Sequence, residues 1–442
     1  MMVRYENAVI LTMDAQNRFY SSGYIDVDGD TIVGIGQTPQ EPLPSGSQTI
    51  NLSGRIIMPG LISAHCHFYG QFGRGMPLRQ SICNWQQVLT RMWWQLDKAL
   101  DDEMTYYSAM LGLVEGLKAG TTTYFDHQAS PNAIDGCLDI VESAVRKAGA
   151  RACLCYEVTG RDGEIRARKG VDENLRFISK CTDSEDKQVR AMFGLHASYS
   201  MDQDLLLACA GEWEAAESGF HLHVAEDRAD VADCYKRFDR HVVERLYEAG
   251  IFSNKTIAAH GVHLSPREWR ILRDSGVTVA HNCQSNMNNG VGLSPVADML
   301  EDGVRVAMGG DGYTYDLFKE LGIAVEAQRA GKLRPDVMSD AQTKALLVDN
   351  NARLAGAVFK MPVGCLETGA TADFLILDYD PMTPLTAENA LGHLMSAFSG
   401  HVDTVVVGGQ TVVQDGVCTL FDEHEIAAAC RIHAKRLWDK LG

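Results

Sequence analysis

The sequence predicts an α/β protein: a (β/α)8 TIM barrel with a small β-sandwich built from both chain termini. Three observations carry this. Between residues 58 and 360, strand-like and helix-like segments alternate, and their eight strands are the number that closes such a barrel. β-rich segments flank that region at 1–57 and 361–442. Neither flank is long enough for a robust core, so pairing them into one unit beside the barrel resolves the difficulty. A doubly wound open sheet is the alternative, but no Gly-x-Gly-x-x-Gly turn follows the first strand.

In the first flank, Tyr24-Ile25-Asp26-Val27-Asp28 alternates, Gly29-Asp30 marks a hairpin-type turn, and Thr31-Ile32-Val33-Gly34-Ile35 resumes the strand. Pro39, Pro42, Pro44 and Gly46 mark a loop. The barrel strands are expected at Ile62–Phe68, Thr121–His127, Arg151–Glu157, Val189–Ala197, Gly219–Glu226, Lys255–Gly261, Thr278–Cys283 and Arg305–Gly312. Between them, Met110, Leu113, Val114 and Leu117 fall on one helical face that Gly120 ends, and Ile134, Leu138 and Val141 repeat the pattern before Gly149. Pro266 suits a first helical turn. The connection 68–84 is long for a βα loop and reads as a rim or lid. Trp93-Trp94 reads as packing, and Val242, Leu246 and Ala249 form the apolar face of a helix within 227–254. In the second flank, strands at Phe374–Asp378, Val402–Gly409 and Gln410–Val413 precede a closing helix from about Glu423 to Leu441.

Composition narrows the function. The net charge of -18 disfavours a polyanionic partner, so no nucleic acid is expected. No apolar run reaches the roughly 18–20 residues of a membrane span, and Met1–Asn7 lacks the features of a secretory signal. The 12 cysteines are scattered without a Cys-x-x-Cys pair, which reads as reduced thiols in a cytoplasm. The missing pair also excludes deaminases that hold zinc on His-x-Glu and Pro-Cys-x-x-Cys. A homodimer is the default assembly.

The chemistry lies at strand ends, because a parallel barrel gathers its active residues where the βα loops begin. His65 and His67 end the first expected strand, pointing one way while Cys66 points the other. His196 ends the fourth, His223 and Glu226 the fifth, His260 the sixth, His281 the seventh and Asp311 the eighth. One barrel histidine is ordinarily a satisfied core residue. Six strands each ending in a metal-competent or proton-transferring side chain are hard to attribute to packing.

Met58-Pro59-Gly60-Leu61-Ile62-x-x-His65-x-His67, His223-x-x-Glu226, Ala258-Ala259-His260, His281-Asn282 and Gly310-Asp311-Gly312 together resemble the amidohydrolase superfamily. The likeness is closest to the branch of cytosine, guanine and adenosylhomocysteine-type deaminases and triazine hydrolases, and it extends to Gly369-x-x-Ala372-Asp373. Within it, Asp126-His127-x-Ala129-Ser130-Pro131 and Ser285-Asn286-Met287-Asn288-Asn289 are similar to SsnA-type aminohydrolases.

The resemblance implies one divalent metal ion, zinc or alternatively iron(II), on His65, His67, His223 and Asp311. It implies proton transfer by Glu226 and Asp311, with His260 orienting the nucleophile. Binuclear relatives carry a carboxylated lysine at the fourth strand end; here that strand reads Phe193-Gly194-Leu195-His196-Ala197, so a single ion is expected and His196 becomes a substrate contact. His127, Gln128 and His281 are further pocket candidates, and Arg74 meets either a substrate anion or a loop-tying carboxylate. His221 reads as core and His263 as structural. The reaction implied is hydrolytic deamination of an aminated heterocycle, purine-, pyrimidine- or pterin-like. Opening of a cyclic amide or amidine and triazine dechlorination are the alternatives, and a non-catalytic scaffold would be expected to have lost ligands.

Overall fold

In the computed structural model of the chain, residues 2–38, 42–396, 398 and 401–442 are described; Pro39, in the loop expected after the first hairpin, lies outside them. The two flanks pair with each other. Val3–Leu11 runs antiparallel to Phe19–Asp28 and parallel to Gln48–Asn51 and Ile56–Pro59. Ile56–Pro59 in turn pairs with Phe374–Leu377, through which Val402–Val407, Gln410–Gln414 and Val417–Cys418 join one nine-stranded sheet. Alternating apolar residues from both ends of the chain, among them Ile10, Ile25, Ile57, Phe374 and Val406, form a single shared core.

Met58 and Pro59 face Leu375 and Phe374, so the terminal sheet extends two residues beyond position 57. Gly60 is the hinge between the two regions. Its N–H donates to Asp373 O, while the next residue, Leu61, donates to Gly120 O. A Cβ at Gly60 would stand 2.3 Å from Thr122 Oγ1, so only glycine lets the chain cross here. Buried Arg151 completes the joint by pairing with both carboxylate oxygens of Asp373, at 2.9 and 3.2 Å.

All eight expected parallel strands are present: β1 (Leu61–Cys66), β2 (Thr121–Gln128), β3 (Arg151–Tyr156), β4 (Phe193–Ala197), β5 (Phe220–Val224), β6 (Ile257–His260), β7 (Thr278–His281) and β8 (Arg305–Met308). They form two parallel sheets. β1 to β3 and the short strand Val189–Ala191 make one, and β4 to β8 the other. The strand expected over 189–197 therefore breaks at Met192, pairing with β3 before the break and with β5 after it. Isolated parallel bridges, Cys66 with Asp311 and Val158 with Leu195, link the two sheets. Asn351 adds a clasp by donating to both Ile62 O and Met308 O.

Inside the sheets, small side chains such as Cys153, Ala259, Ala280 and Ala307 pack with Ile62, Phe125, Leu354 and Phe359. Helices cover the outside. Asp102–Lys118 is capped by Asp101, Cys137–Ala148 ends at Gly149 in the left-handed region, and Pro266–Asp274 opens with a Ser265–Glu268 capping box. Segment 227–254 holds two helices, Arg228–Phe238 and Val242–Glu248, separated at left-handed Asp239.

The long connection after β1 begins with a short 3-10 helix, Phe68–Gly73. Its Tyr69 and Phe72 pack with Leu96, Leu100, Met104, Cys430 and Leu437, and Trp438 of the final helix Glu423–Leu441 donates to Phe72 O at 2.7 Å. Among the described residues no helix is long and apolar enough to cross a membrane.

Candidate active site

The expected ring of side chains lies at or just beyond the strand ends. Ala225 before Glu226, His260 and Asp311 have φ of 48°, 75° and 54°. Non-glycine residues enter this region at a cost, which the surroundings of a site can enforce.

Four donors converge. His67 Nε2 and His223 Nε2 lie 3.2 Å apart, and Asp311 Oδ1 lies 3.2 Å from His67 Nε2 and 3.7 Å from His65 Nε2. Each ring is aimed from behind. His67 Nδ1–H donates to His127 O at 2.7 Å and His223 Nδ1–H to His196 O at 2.9 Å. His65 Nδ1 meets His221 Nε2 at 2.8 Å, so His221, read from sequence as core, supports a candidate ligand. These contacts gather three Nε2 atoms at one point, the second-layer arrangement typical of metal-bound histidine. His65 Nε2 is buried without a hydrogen-bond partner, which suits a group waiting for a cation. Burial opposes a proton on His67, but the hydrogen bond and charge of Asp311 overrule it and lift its pKa to about 9. Burial holds neighbouring His65 down at about 3. Asp311 thus draws one positive charge to this point, and an N3O donor set with an open side fits zinc or iron(II).

A small cavity opens above these donors, and Glu226, His260 and His196 line it. His260 Nε2 stands 3.9 Å from both Glu226 Oε2 and Asp311 Oδ2. Asn286 Oδ1 accepts from His260 Nδ1–H at 2.8 Å, and Ser285 donates to Asp311 Oδ2. Burial raises the pKa of Glu226, which keeps a proton available there.

The amidohydrolase family profile matches residues 56–412, most of the chain. The chain belongs to the amidohydrolase family. The chain is accordingly a hydrolase acting on carbon–nitrogen bonds. The 5-methylthioadenosine/S-adenosylhomocysteine deaminase of Pelotomaculum thermopropionicum is 29% identical over 440 residues, 98% of either chain. An adenosine deaminase from Xanthomonas campestris, crystallised with bound zinc, superposes with a TM-score of 0.87 at 20% identity over 98% of each chain. The atrazine chlorohydrolase of Arthrobacter aurescens TC1, complexed with zinc, gives 0.85 at 24% identity over 98% of this chain and all of that one (100%). At such identities the two structures speak to the fold.

Within this amidohydrolase site, four expected substrate contacts lie elsewhere. His127, Gln128 and His281 are fully buried and do not line the cavity. His127 Nε2 faces Leu195 O and His221 O at 3.1 Å each, so it carries a hydrogen spent on the backbone. Arg74 pairs with Glu115 on the outer side of the rim, the loop-tying alternative. His263, donating to Val291 O, is structural as expected.

Trp93 packs against Tyr69 and Trp94 stacks on Tyr199, and both tryptophans also line the cavity wall together with Asn289. Glu157 was not singled out at all, yet it faces the same cavity directly after β3. Burial alone would raise its carboxyl pKa; His196, His127 and Arg161 overrule that and hold it well below the usual range. The strand-end rule that located the other residues applies equally to Glu157, and its position was the available signal.

Proposed function

We propose that this amidohydrolase deaminates an aminated heterocycle, with one zinc ion held by His65, His67, His223 and Asp311. The observation that carries the reading is the convergence of three Nε2 atoms and the Asp311 carboxylate beside Glu226, a buried acid three residues after His223. When bound, such an ion supplies a Lewis acid that makes water nucleophilic near neutral pH. Asp311, with Ser285 on Oδ2, receives the proton that the attacking water loses. Replacing C–NH2 by C=O then requires the amine to leave protonated. Glu226 meets this requirement, giving its proton to the ring nitrogen and then carrying the adduct's hydroxyl proton to the amine, while the proton taken up by Asp311 returns to Glu226 to reset the site. His260, fixed by Asn286, orients the nucleophile between these carboxylates.

Finer readings accompany this one. The two parallel sheets with their linking bridges support a closed eight-stranded barrel over residues 58–360, with a β-sandwich from 1–57 and 361–442. All described cysteines are free, which supports a reducing cytoplasm. A homodimer rests only on the frequency of twofold assembly. Ammonia release by zinc-loaded protein across aminated purines, pyrimidines and pterins tests the central claim. Turnover of a ring without free ammonia would overturn it in favour of ring opening.

A further inference from the structure

Two neighbouring cavity-wall groups present only acceptors. Ser200 Oγ spends its single hydrogen on Ala197 O at 3.0 Å, so toward His196 Nδ1, at 2.7 Å, it can only accept. His196 therefore carries its hydrogen on Nδ1 and, when neutral, turns an Nε2 lone pair to the cavity. That nitrogen stands 3.8 Å from Glu157 Oε1. Among the described residues, the cationic or ring nitrogens nearest the Glu157 carboxylate are His127 Nδ1 at 3.5 Å, His196 Nε2 at 3.8 Å and Arg161 at 3.9 Å. Arg161 turns toward Asp97 and, at 3.0 Å, Asp162, with its guanidinium over the Trp94 ring, and at 3.9 Å it stands beyond hydrogen-bond reach of Glu157. A buried carboxylate and an imidazole lone pair, side by side and without a close donor, leave two acceptors to be satisfied from the cavity.

We infer that Glu157 and His196 select heterocycles whose edge presents N–H donors to both acceptors, the two hydrogens of an exocyclic amine or an amine beside a ring N–H, over rings that present a carbonyl there. The inference rests on the deaminase reading for its reacting group but not for its geometry. β3 and β4 bring these acceptors to one side of the cavity, whereas β5 and β6 bring Glu226 and His260 to the other. The substrate would then lose one amine at the metal while a second donor edge rests on Glu157. Rings with a carbonyl at that edge would set oxygen against carboxylate, a repulsion that excludes them.

Zinc-loaded protein and Glu157→Gln are compared on two matched pairs, 2,6-diaminopurine against 6-amino-2-oxopurine and 2,4-diaminopyrimidine against 4-amino-2-oxopyrimidine. Wild type is expected to favour the 2-amino member by about 100-fold in kcat/KM, the scale on which sites built for hydrogen bonds discriminate. Glu157→Gln, which can donate, is expected to erase or invert that ratio. Calorimetric binding of 2-aminopyrimidin-4-one and pyrimidine-2,4-dione, used as ligands, reads the same preference without turnover. If no ring releases ammonia but this binding preference holds and inverts in the variant, the acceptor pair stands and deamination falls. Equal binding of both ligands by wild type, or an unchanged preference in a folded Glu157→Gln, overturns the inference.

Discussion

Glu226 carries the sharpest consequence at the scale of a single residue. Amide ion is a hopeless leaving group near neutral pH, so loss of this acid should be felt in chemistry and not in folding. Glu226→Gln is expected to retain fold and zinc while ammonia release drops by about 10²–10⁴-fold, the usual worth of a positioned proton donor. A modest stability change with normal turnover would reduce Glu226 to an ion-pair partner. The two cavity histidines should separate kinetically. His196 faces the cavity from β4, so His196→Asn is expected to raise KM more than it lowers kcat. His260 stands between Glu226 and Asp311, so His260→Asn is expected to lower kcat and kcat/KM together. Steady-state kinetics of both variants on one substrate decides; identical behaviour removes the division of labour.

Elements, rather than residues, were what the sequence made most legible. Parallel strands buried on both faces read as short apolar runs, and the capping residues Gly120, Gly149 and Pro266 stand where their chemistry demands. The closing helix has the bounds expected of it. The break at Met192 was not legible, since it reflects a handover between two sheets and leaves no local signature. That Trp93 and Trp94 also line the cavity was not legible for a related reason: periodicity marks a packed face but cannot say whether a cavity opens beside it. Glu157 looked like an ordinary charge at a strand end, and only tertiary placement shows its carboxylate among His127, His196 and Arg161. The convergence of His65, His67 and His223 was legible because their strand positions imply a shared mouth without any knowledge of loops. At this scale the joint at Gly60 makes a test. Gly60→Ala presses a methyl group onto Thr122 and should destabilise the protein by about 1–3 kcal/mol, the range of overpacked sites. Denaturant unfolding measures it, and an unchanged midpoint would show that the joint yields freely.

For the molecule as a whole, the ion is expected at one per chain. Elemental analysis of zinc-reconstituted protein checks this, and two stoichiometric ions would restore a binuclear site. Binding to the native state alone raises Tm by mass action. It should also release a proton. In the metal-free protein Asp311 lifts His67 to about 9, above its ordinary 6.5, so His67 holds a proton at pH 8 that the ion must displace. A proton bound only in the metal-free form competes with metal, so affinity falls as pH falls. Zinc affinity should therefore drop about tenfold per unit between pH 8 and 6. Calorimetry in buffers of different ionisation enthalpy reads the released proton directly. No release at pH 8 would mean that Asp311 does not hold that charge.

The pairing of Ile56–Pro59 with Phe374–Leu377 also fixes an order of events. A ribosome delivers the first flank long before its partner strands. Until the second flank emerges, the edge of Ile56–Pro59 has no neighbour to accept its hydrogen bonds, and the shared core of Ile10, Ile57 and Phe374 cannot form. The rim after β1 waits longer still, because Trp438, which holds Phe72 O, follows it by 366 residues. His65 and His67, two of the groups that would grip the ion, are thus among the first parts of the barrel to be synthesised, while the wall around them is finished only after Trp438 has been made.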